Sequence, residues 1–141
     1  TTIKTAKSKE AFKKVDYEYA LEFAKLAKQN NAKKFVLVSA MGAHPNSLIF
    51  YNQVKGQLEK ELKELFPNNL IIFQPAFLNG DRKEFRPFEK VALDFLNSVR
   101  FLIPKNIDQM ILTDVSKLAQ RMIDVSLENS SANKTIIAKD I

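Results

Sequence analysis

Two uninterrupted apolar runs constrain the fold of this chain more than any other feature of its sequence. They are FVLV at residues 35–38 and LIIF at residues 70–73. A strand in which polar and apolar residues do not alternate is covered on both faces, which is typical of a parallel sheet packed between helices. The two runs therefore predict central strands of an α/β protein.

Apolar residues recur at helical spacing between and around these runs. The predicted elements are helices at residues 16–29, 51–65, 88–102 and 115–127, and further strands at residues 109–112 and 134–138. Thr113 and Asp114 are expected to be the N-cap and the first residue of the last helix. This alternation of helices and strands predicts one parallel, layered sheet, in which ligands bind beyond the carboxyl ends of the strands.

The composition excludes several classes of protein. With 141 residues, 45% of them apolar, the chain fits one domain or a large piece of one and is not disordered. It contains no cysteine, which excludes disulfides and thiolate chemistry, and no side-chain cluster with metal-ligand spacing. No apolar run approaches the roughly 20 residues of a membrane span and no signal peptide is visible, so a cytoplasmic location is expected.

The net charge of +6 does not indicate a nucleic-acid-binding protein. Lysines alternate with glutamates, as in EKELKE at residues 59–64, which is typical of a solvated helix face with opposite charges three or four residues apart. No basic stripe with interleaved aromatic residues is present. The expected partner is a small-molecule substrate, with neither nucleic acid nor membrane.

The best candidates for chemistry are Ser39, Tyr51 and Lys55. Tyr51 and Lys55 are four residues apart, so a helix places them on one face, one turn apart. An isolated phenol is a poor base at neutral pH, but a neighbouring cation favours the phenolate and makes it usable in acid/base catalysis. Ser39 ends the preceding strand, where its hydroxyl could hydrogen-bond a substrate oxygen.

By itself this pair of residues decides little, because a lysine-rich chain yields it by chance. The alternative is that Tyr51 packs under the loop before it and that Lys55 is a solvated helix lysine. The context of a buried strand, a terminal Ser39 and a turn-rich loop favours the chemical interpretation.

Several stretches resemble a known family. VSAMGA (38–43) and FYNQVKG (50–56) are similar to the active-site region of the short-chain dehydrogenase/reductase superfamily, and more narrowly to its atypical NAD(P)H-binding members close to the Tat-interacting-protein-like oxidoreductases. The similarity continues through FQPAFL (73–78) and GDRKEFRP (80–87) and returns at TDV (113–115), so it spans nearly the whole chain. The resemblance implies a Rossmann-like NAD(P)-binding domain.

The resemblance also implies a role for each candidate. Tyr51 would exchange a proton with the substrate as hydride moves to or from nicotinamide, Lys55 would hold the nicotinamide ribose and tune Tyr51, and Ser39 would orient the substrate oxygen. The cofactor-binding residues beside Lys55 would be Pro75, Ala76, Phe77 and Leu78. The cofactor would be NAD or NADP.

Two departures from the family pattern stand out. The chain has only three glycines and lacks the glycine-rich first turn that meets the pyrophosphate. We therefore expect residues 1–141 to form a single partial domain, the C-terminal part of a Rossmann-like domain without its first βα units, completed by a missing N-terminal segment or paired as a homodimer. The residue that distinguishes NAD from NADP would lie outside it. In addition, Gln74 stands where an arginine often precedes the proline.

Three further residues are candidate substrate contacts, namely Met41, His44 and Arg82. His44 is the only histidine and lies in the loop before Tyr51, where a plain surface position is the alternative. Arg82 could instead form a local ion pair with Asp81.

Two functions from different classes remain open. The first is an NAD(P)-dependent oxidoreductase acting on a carbonyl or alcohol, active as the full-length protein and inactive as this piece alone. The second is an NAD(P)H-binding regulatory or interaction protein with little or no turnover. If the 141-residue chain exists as such, we expect it to bind no dinucleotide and to need a partner at its sheet edge.

Overall fold

The computed structural model describes residues 6–79 and 112–141. The predicted helix at 88–102, most of the strand predicted at 109–112, and Arg82 lie outside the described residues.

The first helical segment is longer than predicted. It consists of α1 (Lys9–Lys13), a π-helical segment (Lys14–Tyr19) and α2 (Ala20–Gln29), which follow one another with helical backbone angles at each junction. The prediction began at residue 16 because the lysine-rich start shows no clear periodicity. The Ser8 hydroxyl marks the true beginning, since it accepts a hydrogen bond from the Ala11 amide at 3.0 Å. Asn31, in the left-handed region at φ 58°, follows its end.

The central elements lie where the sequence predicts them. They are β1 (Phe35–Val38), α3 (Phe50–Leu65) and β2 (Leu70–Gln74). Strands β1 and β2 pair in parallel, with Val38 opposite Phe73. The two strands therefore end at the same edge of the sheet, which brings Ser39 and Pro75 to neighbouring positions.

The last strand completes a parallel sheet. The last strand of the chain is β5 (Lys134–Ile137), which pairs in parallel with β2. The strand order in this sheet is therefore β1-β2-β5. It ends one residue earlier than predicted, because Ala138–Asp140 form a 3₁₀ turn. The predicted α/β class with a parallel sheet and a partial Rossmann-like fold is confirmed.

A small second sheet was not predicted. Strands β3 (Phe77–Asn79) and β4 (Leu112–Asp114) pair in parallel. Helix α4 (Val115–Leu127) follows β4, and its N-cap is Asp114, whose carboxylate accepts from the amides of the second and third helical residues at 2.8 and 3.0 Å. The assignment of Thr113 as the cap is wrong. The carboxylate of Asp114 caps the helix, while the Thr113 hydroxyl accepts from the Ala76 amide at 3.1 Å.

Strand β2 divides the core into two clusters, one on each face. Leu70 and Ile72 pack into the first cluster, and Ile71 and Phe73 into the second. The first also contains Ala24, Phe35, Leu58, Leu62 and Phe66, and the second Leu118, Val125 and Ile136. This arrangement explains the apolar run without alternation, since both faces of β2 are buried. Within the described ranges no helix is long and apolar enough to cross a membrane.

Candidate active site

Ser39 lies at the carboxyl end of β1, as the sequence predicts. Its amide continues the sheet by donating to the Phe73 carbonyl at 2.7 Å, and the residue is only 5% exposed. Its hydroxyl oxygen has no hydrogen-bond partner within the described part of the chain. Burying a hydroxyl without a partner costs about 1–3 kcal/mol, so such a group calls for an explanation, and a bound ligand is one.

The loop from Ser39 to α3 is held at two points, one just after β2 and one on the helix itself. The Met41 amide donates to the Pro75 carbonyl at 2.9 Å, and the His44 amide donates to the Asn52 carbonyl at 3.1 Å. At Gly56 the loop backbone approaches so closely that an added Cβ would lie 2.2 Å from the His44 carbonyl carbon. The glycine therefore sets the distance between the loop and α3.

Tyr51 and Lys55 lie one turn apart near the start of α3. The Lys55 Nζ is 5.9 Å from the centroid of the Tyr51 ring, within the range of a cation–π contact. The half-buried Tyr51 ring also packs on Phe12, with 5.7 Å between the ring centroids. The structure thus brings phenol and ammonium together on one helix face.

Lys55 is not a solvated helix lysine. Its side chain is 13% exposed, and its Nζ donates to Asp16 Oδ1 at 2.8 Å. Asp16 belongs to the π-helical segment, and its side chain is 7% exposed. Sequence reasoning missed Asp16, because nothing in a single sequence links it to a lysine 39 positions away.

A second tyrosine, Tyr17, directly follows Asp16 in the sequence but belongs to the core. Tyr17 packs against the first core cluster. Burial and then the nearby charge of Glu61 raise the pKa of the Tyr17 phenol. A raised pKa disfavours the Tyr17 phenolate, so Tyr17 is a poor candidate for proton exchange.

The predicted cofactor-binding stretch leaves the carboxyl end of β2. Pro75 is buried, and its carbonyl accepts from Met41, while the Ala76 amide donates to the Thr113 hydroxyl. Phe77 and Leu78 continue into β3, a strand that the sequence did not predict there, and Leu78 packs against the second core cluster. The stretch is thus fixed beside the end of β1.

Met41 and His44 are surface residues of the loop. Met41 is exposed, and His44 is exposed with its Nδ1 accepting from the Asn46 amide at 3.2 Å. The His44 ring thus takes part in the hydrogen bonding of its own loop. Arg82 lies outside the described residues.

A buried carboxylate occurs one turn beyond Lys55. Glu59 is 4% exposed, so its expected place on a solvated helix face is wrong. Both carboxylate oxygens accept from the Gln74 side-chain amide, at 2.9 and 3.0 Å. The neutral Gln74 thus supports a buried acid where the family pattern often has an arginine.

A shallow cleft of about 390 Å³ lies at the amino ends of β1 and β2. It is lined by Lys28, Asn31, Ala32, Lys33, Leu65, Phe66, Pro67, Asn68 and Asn69. Ligands of parallel α/β sheets bind at the carboxyl ends of the strands, so the constellation around Ser39 is the stronger candidate. Across residues 6–79 and 112–141, no cluster of three acidic or histidine side chains could hold a metal ion.

Comparison with known proteins identifies the family. The family model of HIM1 matches residues 1–106. The chain belongs to the HIM1 family. It is 41% identical to Protein HTATIP2 of Rattus norvegicus over 90 residues. These 90 residues cover 64% of this chain and 37% of the rat protein. The expected resemblance to Tat-interacting-protein-like proteins is confirmed.

Fungal proteins named FMP52 are also similar to this chain. The Candida albicans protein is 44% identical over 84 residues, or 60% of this chain and 37% of its own length. The Emericella nidulans protein is 36% identical over 99 residues, or 70% of this chain and 42% of its own length. The chain therefore spans about two fifths of the length of these relatives. These relatives fit an NAD(P)-binding, oxidoreductase-like family.

The expected cytoplasmic location is wrong. The FMP52 relatives from Candida albicans, Scheffersomyces stipitis, Emericella nidulans and Aspergillus niger are all named as mitochondrial proteins. A sequence without a recognised signal therefore did not justify a cytoplasmic assignment.

Proposed function

We propose that the complete protein is an NAD(P)-dependent oxidoreductase of the short-chain dehydrogenase/reductase type that acts on a carbonyl or alcohol. The observation that carries this proposal is that Tyr51 and Lys55 lie together on one helix face. A second observation supports it, since the buried Ser39 hydroxyl at the carboxyl end of β1 has no partner among the described residues. A substrate oxygen bound there would satisfy that hydroxyl.

Each residue then has a chemical role. Tyr51 donates a proton to the carbonyl oxygen during reduction, or accepts it from the alcohol during oxidation. Lys55 places a positive charge near the Tyr51 ring and could hold the ribose of the cofactor. Ser39 donates a hydrogen bond that fixes the substrate oxygen and polarises the carbonyl.

The described residues fit the ribose of a dinucleotide better than its phosphates. The Lys55 ammonium has three donors, of which Asp16 uses one, so it could also hold ribose hydroxyls. When bound, the cofactor supplies or accepts the hydride. The chain contributes no glycine-rich phosphate loop, since its three glycines are Gly42, Gly56 and Gly80. Cofactor binding is therefore a property proposed for the complete protein.

The experiment replaces the phenol and leaves its ring. In the complete protein, we expect Tyr51→Phe to lower the rate of NADPH- or NADH-dependent reduction of an aldehyde and ketone panel by about 10²–10⁴-fold, the usual contribution of a positioned acid. Tyr19→Phe is the matched control, because Tyr19 is an exposed phenol on the neighbouring helix. Turnover retained in Tyr51→Phe rejects Tyr51 as the proton donor.

One surface favours the second candidate, an NAD(P)H-binding regulatory or interaction protein with little turnover. Val15, Tyr19, Phe23 and Leu26 are exposed apolar residues of the first helical segment, at spacings that place them along one side of it. A second copy of the chain, another part of the complete protein or another protein could cover this surface. NADPH binding by the complete protein without oxidation across the carbonyl panel would favour this candidate.

The names of the FMP52 relatives support a mitochondrial location for the complete protein. Fractionation of cells that express the tagged complete protein tests it, and recovery outside mitochondria would contradict it.

A further inference from the structure

The ion pair between Lys55 and Asp16 is the most buried one among the described residues. The two side chains are 13% and 7% exposed, whereas the other lysine–glutamate and arginine–glutamate pairs each include a side chain at least 36% exposed. Removing one member of a buried pair leaves an uncompensated charge, which is far more costly than breaking a surface pair. The position of the Lys55 ammonium therefore depends on Asp16.

The backbone around Asp16 departs from a regular helix. Residues Lys14–Tyr19 form a π-helical segment between two α-helical ones. Such segments are rare and are found frequently at functional sites, because the wider turn changes which side chains face a neighbouring element. Here the segment contacts α3 and contains the residue that meets Lys55.

The pair restricts a flexible side chain. A lysine has a long stem with several rotatable bonds, and its ammonium can take many positions when unpaired. The contact with Asp16 Oδ1 at 2.8 Å fixes one of its three donors, while the ammonium stays 5.9 Å from the Tyr51 ring centroid. Two donors then remain for a ligand or for Tyr51.

We propose that Asp16 is a positioning residue, whose carboxylate holds the Lys55 ammonium beside Tyr51 in the geometry that binds the cofactor. This inference rests on the proposed oxidoreductase function. Asp16 acts through Lys55 and does not itself exchange the proton of the reaction.

The first test needs no cofactor. Thermal unfolding is measured for the complete protein and for Asp16→Asn, Lys55→Met and the double variant. We expect each single variant to lower the Tm, and the double variant to lower it by less than the sum of the two, because the Lys55–Asp16 pair is already broken in each single variant. Glu22→Gln is the control, since Glu22 forms an exposed pair with Lys25 on the same helical segment and should change the Tm little.

The second test measures NADPH affinity of the same folded variants by titration. We expect Asp16→Asn to weaken NADPH binding on the order of tenfold, the effect of removing a residue that orients a ligand-holding group. In the Lys55→Met background the same change should have no further effect on affinity. If Asp16→Asn does not fold, Asp16→Glu keeps the carboxylate but moves it by one methylene, and a smaller loss of affinity is expected.

The outcomes separate the inference from the function on which it rests. If the parent does not bind NADPH or NADH, the proposed function fails, and the inference fails with it. If the parent binds but Asp16→Asn or Asp16→Glu binds equally well, only the inference fails. The inference would also be overturned if Asp16→Asn lowered the affinity equally in the parent and in the Lys55→Met variant. Asp16 would then act independently of Lys55.

Discussion

Replacing Gly56 with alanine should displace the loop that joins Ser39 to Tyr51. The new Cβ would lie 2.2 Å from the His44 carbonyl carbon and 2.4 Å from the Pro45 nitrogen, where ordinary contact begins at 3.4 Å. These are backbone atoms, so no side-chain rotation relieves the clash. The loop and α3 must therefore separate by about 1 Å.

Two opposing contributions determine the stability of this variant. Alanine favours a helix over glycine by about 1 kcal/mol. Overpacking of a close contact costs about 1–3 kcal/mol, and here it also strains the hydrogen bond from the His44 amide to the Asn52 carbonyl. We expect a net loss of about 1 kcal/mol in the free energy of unfolding.

The effect of Gly56→Ala on activity should be larger than its effect on stability. A misplacement of about 1 Å can lower a catalytic rate by about 10²-fold, because the reacting groups no longer align. Unfolding in urea and carbonyl reduction by the complete protein measure the two effects. Lys60→Ala is the control, since Lys60 is exposed on the same helix. A Gly56→Ala protein as stable and as active as the parent would refute the reasoning.

Two further predictions concern other carboxylates. Gln74→Arg should place a cation against the buried Glu59 and raise the stability by about 1 kcal/mol, because a guanidinium can donate two parallel hydrogen bonds to the carboxylate and also carries the opposite charge. Gln74→Met should lower the stability by about 2 kcal/mol, because it leaves the buried carboxylate without these donors. Equal losses of Tm in both variants would contradict this. The last prediction concerns Glu128, whose pKa is lowered from 4.5 by the hydrogen bond from Lys134. The pair therefore stabilises the fold above pH 4.5. Its contribution is lost as the pH falls through the lower pKa that Glu128 has in the folded state. The Tm difference between parent and Glu128→Gln, measured from about pH 7 down to about pH 3, should therefore vanish on acidification, and a difference that grows would disprove the assignment.

Local patterns in the sequence were enough to predict the centre of the fold. The apolar run that forms β2 is buried on both faces, as its lack of alternation indicates. The bounds of α3 and α4 also follow from helical periodicity. The prediction failed for β3, because a three-residue strand carries too little pattern to be distinguished from a loop.

The candidate site likewise contains residues that the sequence predicts and residues that it does not. Tyr51 and Lys55 are found by their spacing, because a helix brings residues four apart onto one face. Ser39 is found by its position after a buried strand, because parallel strands end at a common edge. These three residues are local features of the sequence, and their proposed chemistry follows from residue type.

The long-range contacts made by Lys55 and by the neighbouring Glu59 arise only through the fold. Asp16 reaches Lys55 across 39 positions, and Glu59 reaches Gln74 across 15. A helix of different pitch over Lys14–Tyr19 would turn Asp16 away from α3 without any change in the residues near Tyr51. The reacting groups could therefore stay in place while the ammonium lost its position, so a chain with the same Tyr51–Lys55 spacing but no acid at position 16 should bind the cofactor more weakly.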